Sequence, residues 1–199
     1  MEDDMAGTDV TACPATTPEQ KAGIEPEQFR RVMGSLLSGV CIIGSADAAG
    51  APCGLTCSAV CSVSLEPPLL LFCVKTPSST LDAIRARGAF VVSLLDVESH
   101  AISDLFAKPA PDKFASVAWR GAAHTGLPLI DAALAHAECA VHDIVEAGDH
   151  VIVLGRVLAG DADPRRFPLG YWRRDYMRVL RPVDFLDGTD TEADWIGEF

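Results

Sequence analysis

Two consecutive prolines, Pro67 and Pro68, interrupt the most β-like stretch of this sequence and limit how it can fold. Proline cannot donate a backbone hydrogen bond to a strand ladder, so Glu66-Pro67-Pro68 predicts a turn or a strand edge. The run before it, 52–65, contains Val, Thr and small residues that favour extended backbone, and the run 69–74 is continuously apolar. The sequence therefore predicts two paired strands with a sharp turn between them, the first strand ending near Leu65.

The first of these strands is predicted to carry hydroxyl groups on one face. Successive side chains of a strand point to opposite faces. One face would then be apolar, and the other would present Gly54, Thr56, Ser58, Val60, Ser62 and Ser64. Small hydroxyls beside a glycine suit a flat ligand with a polar edge, because the backbone can approach it closely and can hydrogen-bond to it.

The same segment resembles a known family. The pattern Thr56-x-Ser58-x-x-x-Ser62-Val63-Ser64-Leu65-Glu66-Pro67-Pro68-Leu69 is similar to the signature of short flavin reductases that serve two-component flavin-dependent monooxygenases. Those proteins belong to the flavin reductase-like family, with the FMN-binding split-barrel fold. Further pieces fall in the family's order: Phe29 to Val40, Ser79-Thr80, Asp112-Lys113-Phe114, Gly148-Asp149-His150 and Pro168-Leu169-x-Tyr171. The resemblance covers about residues 27 to 180.

The resemblance implies a mostly β fold: a split antiparallel Greek-key β-barrel with a few peripheral helices, assembled as a homodimer. It also implies an enzyme in which NADH or NADPH passes a hydride to FAD or FMN. The reduced flavin would then leave for a separate monooxygenase. Two rival functions stay open at this point, namely a split-barrel flavoprotein with tightly bound FMN that acts on another substrate, and a non-catalytic flavin- or haem-binding module.

The resemblance assigns roles to ten residues. Those expected to hold the flavin ring edge are Thr56, Cys57, Ser58 and Ser62. Those expected to hold phosphate are Ser79, Thr80 and Lys113. Phe114 is expected to pack near the cofactor, Tyr171 to form a wall of the site, and His150 to orient the nicotinamide. Many family members have Thr-Ala-Asn-Ser where this chain has Thr56-Cys57-Ser58-Ala59, and losing the amide side chain predicts looser flavin binding.

Each of these assignments has a simpler alternative. Ser79 and Thr80 open a predicted helix over 81–88, where free N–H groups and the helix dipole favour phosphate. The alternative there is a plain helix cap by Ser78 or Ser79. Lys113 could belong to a solvated helix start, His150 could be structural, and Tyr171 could fill the core.

Hydrophobic periodicity and the positions of helix- and strand-breaking residues predict the remaining helices and strands. We expect an amphipathic helix from 25 to 39, strands over 40–46 and 89–95, a helix over 97–106 and a short strand over 126–130. Two long strands over 135–145 and 150–159, and a closing strand over 168–176, complete the prediction. No GxGxxG follows a strand and no GxSxG is present, so neither a Rossmann dinucleotide site nor the common hydrolase motif is expected.

Charge and cysteine content narrow the function classes. The net charge of -12 lies mostly in two acidic tails: residues 1–24, expected to be disordered, and residues 182–199. The expected domain, 25–181, is therefore nearly neutral, and the overall acidity argues against nucleic acid and membrane partners. Cys53, Cys57 and Cys61 lack a second ligand pair at zinc spacing, so we expect no metal. An acidic N-terminus and the odd number of cysteines predict a cytoplasmic protein with reduced thiols.

Overall fold

The computed structural model describes residues 23–179, which form three α-helices, a 3-10 helix and twelve strands. The helices are α1 (Pro26–Met33), α2 (Ser79–Arg87) and α3 (His100–Ala107), and the 3-10 helix covers Lys113–Ser116. The first strands are β1 (Ser38–Gly39), β2 (Cys41–Ala46), β3 (Pro52–Cys57), β4 (Val60–Leu65), β5 (Pro68–Lys75) and β6 (Ala89–Leu95). The others are β7 (Trp119–Gly121), β8 (Pro128–Ile130), β9 (Ala133–Ala147), β10 (His150–Ala162), β11 (Leu169–Trp172) and β12 (Asp175–Arg178). The predicted tails lie outside the described residues, except for Gly23 and Ile24.

Seven antiparallel strands form the main sheet, in the order β3-β2-β6-β9-β10-β5-β4. Strands β3 and β4 stand at opposite ends of this order, yet only Ser58 and Ala59 separate them along the chain. The sheet must therefore curl until its two ends approach each other. The two ends meet where the Cys57 thiol on β3 donates to the carbonyl of Cys73 on β5 at 3.5 Å. The expected mostly β split barrel is confirmed.

The double-proline turn is confirmed, but the strand before it is not continuous. Strands β4 and β5 pair as predicted, with Leu65 opposite Pro68. The segment predicted as one strand, 52–65, breaks at Ser58 and Ala59 because the chain crosses there from one end of the sheet to the other. A register shift between Ser62 and Ser64 breaks the alternation again. The expectation of one uninterrupted hydroxyl face was therefore wrong.

Three apolar clusters fill the interior of the described chain, and the two larger ones lie nearest the site. The first lies inside the barrel, where the rings of Phe72 and Phe90 meet edge to face with centroids 5.0 Å apart. The second lies between α3 and the neighbouring strands and contains Phe106 and Phe114. The continuous apolar run from Val151 to Leu154 predicts a strand buried on both sides. That prediction was wrong for β10, where the buried Val151 and Val153 alternate with the half-buried Ile152 and Leu154, whereas β2 is buried on both faces.

A buried carboxylate anchors the loop between β7 and β8. The Oε atoms of Glu138 accept hydrogen bonds from the N–H groups of Ala123 at 3.0 Å, His124 at 2.9 Å and Thr125 at 3.0 Å. The Thr125 hydroxyl adds a fourth bond at 3.2 Å. Burial raises the pKa of Glu138, but these donors outweigh burial and hold the pKa below its ordinary value.

The two ends of the described chain differ from expectation. Helix α1 ends at Met33 instead of continuing to Gly39, and none of its residues is buried. Ser38 and Gly39 instead form β1, which pairs with β11. The predicted closing strand over 168–176 is a hairpin of β11 and β12 that turns at Arg173 and Arg174. Within residues 23–179, no helix combines the length and apolar character needed to cross a membrane.

Candidate functional site

A cavity of about 700 Å³ lies where the ends of β3 and β5 meet the start of α2 and the end of α3. Seven of the ten residues predicted from sequence line it: Thr56, Cys57, Ser58, Ser79, Thr80, Lys113 and His150. These residues are up to 94 positions apart in the chain. The barrel thus gathers them into one concave surface, which is the candidate site.

The first turn of α2 forms one end of the cavity. The Ser78 side chain caps this helix by accepting a hydrogen bond from the N–H of Leu81 at 3.3 Å. The expected cap is therefore present, at Ser78. The Ser78 side chain takes up the N–H group of Leu81 only. The first N–H groups of a helix, here those of Ser79 and Thr80, have no partner within the helix. Capping and anion binding are thus compatible at this helix end.

Lysines give the cavity a positive character. Lys75, Lys108 and Lys113 line it, and no aspartate or glutamate is among its lining residues. The Lys113 ammonium donates to the carbonyls of Phe106 at 3.1 Å and Gly54 at 3.4 Å. Burial lowers the pKa of Lys113 below its ordinary value. In a protein of net charge -12, this collection of cations favours an anionic ligand.

Gly54 and Phe106 form the floor of the cavity. A Cβ atom on Gly54 would come within 2.8 Å of the Ile43 carbonyl, 3.2 Å of the Phe106 ring and 3.3 Å of the Phe114 ring. Glycine is therefore needed for this close approach. Phe114 packs behind the floor, edge to face with Phe106 at 4.9 Å between centroids. Its position supports the cavity from below, and it is not a lining residue.

The end of β3 forms the polar wall. The Thr56 hydroxyl donates to the carbonyl of Ser103 on α3 at 2.6 Å, which fixes the strand to the helix and leaves the hydroxyl oxygen able to accept. Cys57 is 6% exposed, whereas Ser58 lies in the connection to β4 and is exposed. The wall therefore offers one constrained hydroxyl at Thr56, the peptide groups around Cys57 and one freely hydrated hydroxyl at Ser58.

His150 lies at the cavity rim, at the start of β10. Its Nδ1 is 2.8 Å from the Oδ1 of Asp149, and that carboxylate can only accept. Nδ1 therefore carries the proton in the neutral ring, which makes Nε2 the acceptor nitrogen. The hydrogen bond from His150 in turn lowers the pKa of Asp149.

The structure places two predicted site residues elsewhere. Ser62 on β4 borders a second, mostly apolar cavity of about 470 Å³. Tyr171 on β11 packs against Tyr176, with ring centroids 5.4 Å apart, and does not line the first cavity. Both residues are displaced because β4 and β11 belong to other parts of the barrel surface than the β3 end.

Sequence reasoning missed several lining residues. Lys108 and Phe106 come from the end of α3, and Cys73 and Lys75 from the end of β5. Lys75 lies four residues before the Ser79-Thr80 pair, so its charge near a helix start was a usable signal. No pattern in the sequence connects Lys108 to this site.

Comparison with known proteins gives the family of this chain and agrees with its fold. Residues 33–180 match the family described as flavin reductase like domain, and the chain belongs to that family. A flavin reductase (NADH) from Kitasatospora aureofaciens is 43% identical over 157 residues, covering 78% of this chain and 82% of the relative. The reductase subunit HsaB of a flavin-dependent monooxygenase from Mycobacterium tuberculosis is 36% identical over 160 residues, covering 79% and 84%.

A solved structure of similar fold carries both classes of ligand. The Streptomyces globisporus C-1027 NADH:FAD oxidoreductase SgcE6, in complex with NAD and FAD fragments, superposes with a TM-score of 0.75 at 32% identity. The match covers 86% of this chain and all of that one. Curated relatives are matched over 48% to 94% of their own lengths. The predicted enzyme class, a flavin reductase, is confirmed at the level of the family.

Proposed function

We propose that this chain transfers a hydride from NADH or NADPH to FAD or FMN in the 700 Å³ cavity and releases the reduced flavin to a separate flavin-dependent monooxygenase. One observation carries the proposal: the hydroxyl wall, the lysine-bordered helix end and His150 meet in a single cavity. The Kitasatospora relative is a flavin reductase (NADH) and the Streptomyces relative is an NADH:FAD oxidoreductase, which supports NADH as the donor. The HsaB relative supports the monooxygenase partner.

The residues present fit a flavin nucleotide. The volume lies within the range of about 300–1,000 Å³ typical of small-molecule sites. The lining combines apolar floor residues for a flat ring with three lysines and a helix N-terminus for phosphate. We assign the ring edge to Thr56, Cys57 and Ser58, and the phosphate to Ser79, Thr80 and Lys113.

The flavin, when bound, supplies the hydride-accepting ring, and the protein's task is to position two ligands. Gly54 allows close approach to the floor, and the Thr56 oxygen and nearby peptide groups hold polar edges. His150 presents its acceptor Nε2 at the rim, where it can take a hydrogen bond from a carboxamide N–H such as that of nicotinamide. Ser58 replaces the family's asparagine with a shorter side chain, which favours release of the flavin.

The experiment that tests this function uses purified full-length chain with NADH or NADPH and each of FAD, FMN and riboflavin. We expect nicotinamide oxidation that depends on added flavin, and colourless protein after dialysis. A yellow protein that resists dialysis and does not reduce added flavin would favour the rival with tightly bound FMN. Flavin binding without nicotinamide oxidation would favour the non-catalytic module.

The role of His150 has its own test. Because a neutral hydrogen bond contributes about 0.5–1.5 kcal/mol, His150→Ala should raise the KM for NADH about 2- to 12-fold while changing that for flavin less. His142→Ala is the matched control, since His142 is exposed on β9 and does not line the cavity. Equal effects of the two variants would contradict the assignment.

We also propose that the chain forms a homodimer. Helix α1 and the residues after it expose a row of apolar side chains that a second copy would cover: Phe29, Val32, Met33, Leu36 and Leu37, each between 47% and 60% exposed. The 470 Å³ apolar cavity around Ser62 supports the same proposal. Light scattering of the full chain tests it, and a Val32→Glu variant should shift the mass to that of a monomer.

A further inference from the structure

Two cysteines lie opposite each other behind the polar wall of the cavity. Cys41 on β2 and Cys57 on β3 are directly opposite partners in the antiparallel ladder. The Cα atoms of such partners are about 4.5 or 5.5 Å apart. Both separations lie within the range of about 4.4–6.8 Å that a disulfide spans. The backbone thus holds the two residues at bonding range while both are free thiols.

The two cysteines are in contact, and their thiols are chemically unequal. The Cys41 thiol donates to the Cys57 carbonyl at 3.1 Å, and the Cys57 thiol lies 3.5 Å from the Cys73 carbonyl. The hydrogen bond from the Cys41 thiol holds the pKa of Cys57 below its ordinary value. The same contact, together with burial, raises the pKa of Cys41 well above its ordinary value. Cys57 is therefore the better nucleophile of the pair.

Access also differs between the thiols. The thiol of Cys57 belongs to the apolar cluster inside the barrel, but the residue borders the 700 Å³ cavity and keeps 6% of its surface exposed, so the cavity is the side from which a small oxidant would approach it. Cys41 is only 1% exposed and lies behind it. Burial raises the pKa of Cys139 to about 12, and Cys61 is exposed on β4 with no facing cysteine in the described ladder. Cys73 also lines the cavity, but burial raises its pKa and it faces Ile152 in the ladder, while Cys53 faces Ser45. Among the described cysteines, Cys57 and Cys41 therefore combine access, nucleophile and resolving thiol.

We infer that Cys41 and Cys57 form a dithiol that hydroperoxides oxidise reversibly to a disulfide. The Cys57 sulfur attacks one peroxide oxygen, the O–O bond breaks, and the departing oxygen leaves as water, giving a sulfenic acid. The Cys41 sulfur then attacks the Cys57 sulfur, an S–S bond forms, the S–O bond breaks and the second oxygen leaves as water. Two thiols and one hydrogen peroxide thus give one disulfide and two waters.

The position of the pair links this reaction to the reduced flavin, and this link rests on the proposed function. Hydrogen peroxide forms where reduced flavins meet dioxygen, and Cys57 borders the cavity from which we propose reduced flavin departs. A bound flavin would cover Cys57. The dithiol is then a peroxide-reactive site that flavin shields.

The test uses the full-length chain, hydrogen peroxide as the oxidant, and peptide mapping after alkylation. We expect a mass loss of about 2 Da, the two hydrogens of a disulfide, with a linked Cys41–Cys57 peptide that a phosphine reductant restores. The control Cys61→Ser should behave as the wild type. Cys41→Ser should instead trap the Cys57 sulfenic acid, detected as a dimedone adduct. Wild-type peptides in which Cys41 and Cys57 stay reduced while Cys61 is oxidised would overturn the inference, and this readout needs no variant.

Repeating the peroxide treatment with FMN present distinguishes a failure of this inference from a failure of the proposed function. With FMN at saturation, checked by fluorescence quenching, we expect disulfide formation to slow by an order of magnitude. An unchanged rate with FMN bound would refute the cavity route to Cys57. If FMN does not bind, the proposed function fails, while the flavin-free mapping still decides whether the disulfide forms.

Discussion

Replacing Lys113 with methionine should weaken the binding of phosphorylated flavins while sparing riboflavin. The ammonium group of Lys113 is half-buried between the carbonyls of Phe106 and Gly54, at the edge of the cavity. Unit charges about 4 Å apart interact by about 4 kcal/mol at an effective dielectric constant near 20, and by about 1 kcal/mol in bulk water. Because Lys113 is partly exposed, we expect its attraction for the flavin phosphate to contribute about 1–2 kcal/mol of binding free energy. This corresponds to about 5- to 30-fold in Kd for FMN.

The assay is titration of flavin fluorescence with purified Lys113→Met, Lys108→Met and wild-type chains. Salt shortens the Debye length from about 10 Å at 0.1 M to about 3 Å at 1 M. The loss of FMN affinity in Lys113→Met, relative to the wild type, should therefore be smaller at high salt. Riboflavin carries no phosphate, so its Kd should change little. Lys108 is exposed, and its variant should show a smaller loss for FMN.

Two results would refute this reasoning. If FMN and riboflavin weaken by the same factor in Lys113→Met, the lysine supports the shape of the cavity and does not hold phosphate. Thermal unfolding distinguishes that case from general damage to the fold, because losing the two hydrogen bonds of the partly exposed ammonium should cost about 1.5 kcal/mol of stability each. A Lys108→Met loss as large as that of Lys113→Met would also contradict the assignment.

Three further predictions concern stability. Glu138→Gln should lower the free energy of unfolding by about 2–3 kcal/mol at pH 7, since it breaks a charged hydrogen-bond set. Because the folded pKa of Glu138 lies below its unfolded value, this difference should be full above about pH 5 and should narrow as pH falls through the folded pKa, as urea titrations would show. Gly155→Ala should cost about 1–3 kcal/mol, since the new Cβ would collide with the Phe90 ring, and urea unfolding that stays unchanged would contradict this packing. Arg174 has φ 71°, so Arg174→Gly should gain up to about 1 kcal/mol and raise Tm by about 2–4 °C, a gain that Arg174→Ala should not reproduce.

Local features of the chain were determined by the sequence alone. The Pro67-Pro68 turn, the cap at Ser78 and the left-handed Gly88 that ends α2 follow from residue types whose backbone preferences override most contexts. The family resemblance extended this local reading to the barrel and to most of the cavity.

Long-range placement was decided only by the tertiary structure. The alternation of residues 52–65 predicts one strand, but closing the barrel requires a corner at Ser58, and this moves Ser62 away from Thr56. Lys108 reaches the cavity because α3 packs on β3, a contact between residues far apart in sequence. Periodicity indicates which face of a strand is buried. Strand order decides which faces meet, and only the folded chain specifies that order.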